Sequence, residues 1–327
     1  MINSSVSIVI PVMNADESLK LLLHCIYSQT LLPKEIIIVG SGSEDVIQKI
    51  INSFSKKITI IYKKIEPLFP GQARNIGVGI AKSDNIAFLD LRSLPKKKWL
   101  ESYYNFLLED KWEVILGSRE TYSDSNLKNY IKWASYGNRP YLALTGTLIN
   151  KDVFLSKIGY FQDARAGEDI EWLGRIKKSG IRSYYPNKSF IIYNGLFNKL
   201  LQTLVKWSKF SFAYSKINED INNQKKIYLS TFIYFIVISI SLFFVGFDYI
   251  NFFYFLFFIP ILVYFIIASI YNPLINDVGF KSLFPTKWIL IGFFRLLLDI
   301  VKFPGLIWGA ALLIYIKLYK KLYYRKK

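Results

Sequence analysis

Between residues 6 and 116 the chain alternates short β-branched runs with helical patterns, and that alternation leaves few folds open. Val6–Pro11 (VSIVIP), Glu35–Val39, Ile58–Tyr62, Ile86–Asp90 and Glu113–Leu116 each read as a strand. The segments between them carry helix signals. Asn14 and Asp16 open Glu17–Gln29, which sets Leu19, Leu22, Leu23 and Ile26 on one face, and Asp45 opens a second helix. Pro70–Gly71 leads a third that contains Arg74 and Asn75, and Lys97–Glu109 is a fourth. Strands and helices alternating at this spacing imply an α/β fold, with a mostly parallel sheet and helices on both faces. Open sheets of this kind bind ligands at the carboxyl edge of their strands. Ile86–Asp90 delivers a single carboxylate to that edge, ahead of a polar loop that ends at Pro95. Taken alone, a strand-end Asp more often caps the turn that follows it.

Further along, Ser118–Thr145 is rich in Tyr, Asn and Ser, has no clear period, and reads as a lid or acceptor-contacting region. Gly146–Asn150 reads as extended, Lys151–Ile158 as helical and Gly159–Arg165 as a loop. A helix begins at Gly167-Glu168-Asp169 and runs to Ser179. Acidic residues in a first turn complement the helix dipole, which is the plain account of Glu168 and Asp169. Ile181–Pro186 and Phe190–Tyr193 close the region as strands.

After Tyr228 the composition changes. The chain is 52% hydrophobic and 17% aromatic, and much of that excess lies here. Tyr228–Phe247 and Phe252–Tyr271 carry almost no charge and are each about 20 residues long, the length of a bilayer-spanning helix. A third apolar stretch, Trp288–Ile316, holds Arg295, Asp299 and Lys302 and is broken at Pro304–Gly305. Charges at that spacing suit the bilayer centre poorly. The stretch reads as an interfacial helix to Phe303 with a short membrane segment after it, or as a hairpin that dips in and returns. Upstream, Leu196–Ile217 sets Leu200, Leu204, Trp207, Phe210, Tyr214 and Ile217 at helical spacing with lysines between them. That pattern fits an interfacial helix on an anionic inner leaflet, or a soluble amphipathic helix packed on the preceding domain.

The formal charge of +18 invites a nucleic-acid reading. The lysines argue against it, because they crowd the apolar segments, with Lys199, Lys206, Lys209, Lys216, Lys225 and Lys226 before them. Lys317, Lys320, Lys321, Arg325, Lys326 and Lys327 follow at the end. That is the cytoplasmic-side bias of a membrane protein, and no RNA-binding signature accompanies it. Cys25 is the only cysteine and His24 the only histidine, which counts against a disulfide framework, a Cys/His nucleophile and a His-rich zinc site. Met1–Ser5 lacks the basic region of a secretory signal.

Over residues 5–195 the sequence resembles the family 2 glycosyltransferases, inverting enzymes of GT-A fold. The resemblance rests on VSIVIPVMN, VGSGSED, PGQARNIGVGIAKSDNIAFLDLRSLPKKKWL, GTLINKDVFLSKIGYFQD and GEDIEWLGRIKKSG, in that order and spacing. It implies a GT-A domain over 1–195, a basic helix and linker over 196–227, and a C-terminal α-helical membrane region over 228–327. It also implies a nucleotide-sugar donor, a lipid-linked or polysaccharide acceptor, and a place in the bacterial inner membrane with the catalytic domain cytoplasmic. Pro11 and Asn14 would border the nucleotide, and Arg74 and Asn75 would lie near the donor. Asp90 matches the first acid of the family's D-x-D, Asp169 the catalytic base, and Glu168 its neighbour that orients acceptor or base.

Three positions depart from the pattern. Gly40 stands where the family has an Asp, Arg92 replaces the second acid of D-x-D, and Tyr193–Asn194 occupy the place of a late His-type ligand. A Mg or Mn site is therefore degraded, with Asp90 the one metal ligand left. Arg92 beside the donor diphosphate would supply the missing charge. The alternative on the same residues is a degenerate transferase that acts as a membrane scaffold or glycan-binding partner.

Overall fold

The computed structural model describes residues 4–13, 16–54, 56–109, 112–214 and 262–323. Asn14 and the whole of Tyr228–Phe247 lie outside them, as do 252–261 of the second apolar run. The chain divides into two compact units, the first Met1–Tyr122 with Pro140–Gly195 and the second Ser123–Arg139 with Leu196–Lys327.

The first unit is built on a nine-stranded sheet. Its early elements alternate in the order read from the sequence: β1 (Val6–Val12), α1 (Glu17–Tyr27), β2 (Glu35–Gly40), α2 (Glu44–Asn52), β3 (Thr59–Lys64), α3 (Pro70–Ile80) and β4 (Asn85–Phe88). Asp16 starts α1, its carboxylate accepting from the Ser18 amide at 2.8 Å. Pro70 sits in the first turn of α3, where its missing N–H removes no helical bond. Then come β5 (Ser93–Pro95), α4 (Trp99–Glu109), β6 (Val114–Thr121), β7 (Tyr141–Asn150), α6 (Lys151–Val153, continued by a π-helical turn Phe154–Ile158), α7 (Glu168–Lys178), β8 (Ser183–Tyr184) and β9 (Ile191–Tyr193). The helix α5 (Asn126–Ser135), between β6 and β7, belongs to the second unit.

The strand order is β3-β2-β1-β4-β7-β6-β9-β5, with β8 beside β6. The half from β3 to β4 is parallel, as expected. Beyond β4 antiparallel neighbours enter: β7 runs antiparallel between β4 and β6, and β5 pairs antiparallel with β9, while β6 stays parallel to β8 and β9. The sheet is mixed. Periodicity marks a run as a strand but does not name its neighbour, and the extended stretch that begins at Tyr141 supplies the antiparallel partner.

Both faces of the sheet are covered. Ile8 and Ile10 of β1 point into one core with Leu19, Leu22, Leu23, Ile26, Trp99 and Tyr103, while Val9 joins the other with Val78, Phe88, Phe154, Phe161 and Trp172. Each such aliphatic side chain contributes about 1.5–3 kcal/mol on burial, which explains why these strands read as continuous apolar runs. β1 does not stop at Pro11 but continues to Val12, with Pro11 paired to Val39.

The second unit packs Ala134 of α5 with Val278, Leu283, Ile291 and Leu298, and with Trp207 of α8 (Leu200–Tyr214). Ser118–Thr145 thus contains a helix that the sequence did not announce. Its buried positions are only Lys128, Ile131 and Ala134, too few for a visible apolar stripe. Residues 262–275 are helical with a π-turn at Ile267–Tyr271, and a short helix spans Phe280–Leu283. The last helix, α9, runs from Lys287 to Tyr323 without a break at Pro304. Of the two readings of Trp288–Ile316, the hairpin that turns at Pro304–Gly305 is therefore absent. A proline forfeits one helical hydrogen bond, and here Gly305 lies close against Ser211 and the Phe212 amide of α8, a contact that a side chain at 305 would prevent. Among the described residues no helix is long and apolar enough to cross a membrane.

Candidate active site

The site is assembled at the carboxyl edge of the sheet from α3, the end of β4 and the start of α7. Arg74 lies on the buried side of α3 and is 4% exposed. One terminal nitrogen donates to Asp90 Oδ1 at 2.8 Å and the other to Glu168 Oε1 at 2.9 Å. An unpaired guanidinium could not stay so deep, and two carboxylates are what keep it there. Burial opposes its charge, but Asp90, Glu168 and then Asp169 outweigh it, so its pKa rises. Glu168 shows the reverse balance. Burial pushes its carboxyl above the ordinary range, with Arg74 pulling the other way and Asp169 adding to the rise.

Close approach makes this geometry reachable. A side chain at Gly71 would press on the Gln162 carbonyl, Glu168 Cγ and Phe161 Cβ, so glycine lets α3 seat against the loop before α7. Asn75 pins the same loop. Its amide nitrogen donates to the Phe161 carbonyl and its oxygen accepts from the Phe161 amide, both at 2.9 Å. Arg175 holds the loop from the other side through the carbonyls of Ile158 and Tyr160, while its own partner Glu171 is buried beneath it. Phe161 stacks on Trp172 at 4.9 Å and has the Arg74 guanidinium 5.5 Å from its ring. The result is a braced loop that feeds Gly167, whose φ of 88° suits glycine, into the first turn of α7.

Asp90 follows the end of β4, its amide donating to Thr145 Oγ1 of β7 at 3.1 Å. Asp169 is next to Glu168 in the first turn of α7 but only half-buried, its Oδ1 accepting from the Ile170 amide at 2.9 Å. One carboxylate of the pair is thus inside and bound to Arg74, while the other is open to solvent. Pro11 stands at the same edge on β1, two residues beyond the Val9–Phe88 pairing that sets its level with Asp90. Arg92 lies in the turn after Asp90, and its carbonyl accepts from the Asn194 amide at 2.9 Å. The structure therefore brings Asp90, Arg74, Glu168 and Asp169 together, gives Asn75 a bracing position against Phe161, and sets Arg92 beside Tyr193–Asn194.

At Gly40 a side chain would run into the Val12 carbonyl. The departure from Asp at this position is thus built into the spacing of β1 and β2. Sequence reasoning missed Thr145, Phe161 and a further group at β6. There Arg119 stacks between Tyr141 and Tyr193, 4.8 and 4.6 Å from the ring centroids. No motif marks Arg119, because Tyr141 and Tyr193 come from separate strands, and Phe161 lies in a quoted motif but meets its partners only once α3 and α7 have packed. His24 packs on Phe54 at 4.7 Å and the half-buried Cys25 thiol is pushed up by burial, a structural setting for both.

The model of the family described as "Glycosyl transferase family 2" matches residues 7–195. The chain belongs to this family. Arg74 of α3, Asp90 after β4, and Glu168 and Asp169 of α7 all lie within the matched span. Among curated relatives, the chondroitin synthase of Pasteurella multocida (strain Pm70) is 30% identical over 162 residues, which is 48% of this chain and 16% of that protein. The glycosyltransferase AglE of Haloferax volcanii is 27% identical over 190 residues, 54% of this chain and 62% of that protein. The chain covers less than two thirds of the length of either. Of solved structures, residues 1–349 of S. aureus TarS align with a TM-score of 0.48 at 14% identity, over 68% of each chain.

Proposed function

We propose that this family 2 member is an inverting, membrane-anchored glycosyltransferase. It moves a sugar from a nucleotide-sugar donor to a lipid-linked or polysaccharide acceptor in cell-surface glycan synthesis. The observation that carries this reading is the division of labour around Arg74. The guanidinium ties Asp90 of the sheet edge to Glu168 of α7, and so fixes Asp169, the half-buried carboxylate of the pair, in the same charged cluster.

In this reading Asp169 takes the proton of the acceptor hydroxyl as its oxygen bonds to the anomeric carbon. The carbon–oxygen bond to the nucleoside diphosphate breaks on the opposite face and its electron pair leaves with the phosphate. Asp90 holds the donor, Pro11 borders the nucleotide, and Arg74, Asn75 and Glu168 position the two acids and the loop between them. Asn14, assigned to the nucleotide from the sequence, lies outside the described residues.

Membrane attachment, with the catalytic domain on the cytoplasmic side of a bacterial inner membrane, is supported by the second unit. On α8 the small polar residues Thr203 and Ser211 are buried, whereas Leu201 is 71% exposed and Val205 and Phe210 are also open. On α9 the exposed apolar residues Ile289, Phe293, Ile300 and Ile307 follow one face. Apolar side chains outside and small residues at the helix contact suit a lipid surround. The apolar run Tyr228–Phe247 adds a span of suitable length in the sequence.

The test is sugar transfer by the full chain in membranes, across a nucleotide-sugar panel, with and without Asp169→Asn. Transfer by the wild type and a loss of at least about 100-fold in the variant, with donor binding kept, is the expected result. Equal transfer by both would overturn the assignment of the base.

A further inference from the structure

We infer that the departing nucleoside diphosphate is neutralised by the Arg92 guanidinium in place of a divalent cation. The inference rests on the proposed transferase reading and concerns the same edge of the sheet. Its basis is a mismatch between the donor set and any hard cation. Magnesium and manganese take about six oxygen ligands, and beside a substrate diphosphate one or two of these are protein carboxylates. Asp90 is the acid best placed to offer one, and its Oδ1 already accepts from Arg74 at 2.8 Å. Glu168 is engaged by the same guanidinium at 2.9 Å and is nearly fully buried.

The other two expected ligand positions turn out to be neighbours. β5 pairs with β9 so that Ser93 faces Tyr193, and the Asn194 amide donates to the Arg92 carbonyl at 2.9 Å. The two departures from the family pattern therefore sit on adjoining backbone, where one metal would need both. One position offers a guanidinium. The other offers a carboxamide and a phenol whose ring lies under the Arg119 guanidinium at 4.6 Å. Among the described residues, no three or more His, Cys, Asp or Glu side chains are grouped to hold an ion. These residues do not fit a divalent metal.

They fit a phosphate better. A guanidinium presents paired N–H donors to two phosphate oxygens and stays charged at any working pH. Arg92 lies two residues beyond Asp90, in a turn closed by the Ser93 amide on the Asp90 carbonyl at 2.9 Å. It stabilises the charge that develops on the leaving diphosphate as the anomeric bond breaks, with no ion to be recruited or released.

The experiment is calorimetric binding of UDP, GDP, CDP and dTDP to the full chain in detergent, in EDTA and again with Mn²⁺. The Mn²⁺ resonance signal is read in parallel as a measure of bound metal. The expected result is one nucleotide bound with the same Kd, within about twofold, in both conditions and without loss of the free Mn²⁺ signal. In EDTA, Arg92→Ala should weaken that binding at least tenfold, and Arg92→Lys by less, since it keeps charge but not the paired donors. Binding that requires Mn²⁺, a nucleotide-dependent loss of the free Mn²⁺ signal, or wild-type binding by Arg92→Ala would overturn the inference alone. No binding of any of the four under either condition would overturn it together with the transferase reading. If the alanine variant does not fold, the wild-type metal titration still decides the metal part and Arg92→Lys the role of the guanidinium.

Discussion

At the sheet edge Arg74 reaches Asp90, 16 residues away in the chain, and Glu168, 94 residues away. In the second unit Asp299 is held by Arg295 and Lys302 from adjacent turns of its own helix, and by the Tyr264 hydroxyl at 2.8 Å. Both are carboxylate–cation clusters out of bulk water, but they are made differently. The α9 cluster follows from i, i+3 and i, i+4 spacing, so the helix alone brings its charges together. The Arg74 cluster exists only after α3, β4 and α7 have packed. A charge pair made by tertiary structure must be complete to be tolerated, whereas one made within a helix retains part of its pairing when a member is lost.

The strongest way to break this contrast is Arg74→Met. It leaves the Glu168 carboxylate buried and unpaired, and should cost about 3–5 kcal/mol in denaturant unfolding. Adding Glu168→Leu should recover at least half of that loss, because the uncompensated charge is gone; no recovery would mean that Arg74 acts through packing alone. Asp299→Ala should cost less, roughly 2 kcal/mol by the same measurement, since Arg295 still donates to the Ala134 carbonyl at 3.1 Å and Lys302 still lies 4.1 Å from the centre of the Trp207 ring. A loss equal to that of Arg74→Met would erase the distinction.

The smallest effect is a slope with pH. Because burial raises the Glu168 pKa above 4.5, the folded chain keeps this proton at pH values where the unfolded chain has released it. Stability should fall as pH rises from about 4.5 through the folded value. Glu168→Gln should flatten that part of the melting-temperature profile. An unchanged slope would place the titration elsewhere.

The same contrast explains what could be read from the sequence. The parallel half of the sheet was legible because β1, β2 and β4 are buried on both faces and their apolar runs are unbroken. Asp90, Glu168 and Asp169 were legible as motif positions next to a strand end or a helix start. The antiparallel insertion of β7 was not, since its period is that of any strand. Nor was the bracing role of Asn75, whose partner is the backbone of Phe161, 86 residues on. Arg119 escaped for the same reason, with Tyr141 and Tyr193 drawn from other strands. The charges of α9 were visible in the sequence, but not that they meet around Asp299.

If Asp169 drives a direct displacement at the anomeric carbon, as proposed, the stereochemistry of the product records it. Wild-type enzyme, given its donor and acceptor, should yield a product of inverted anomeric configuration by NMR. Retention of configuration would contradict it.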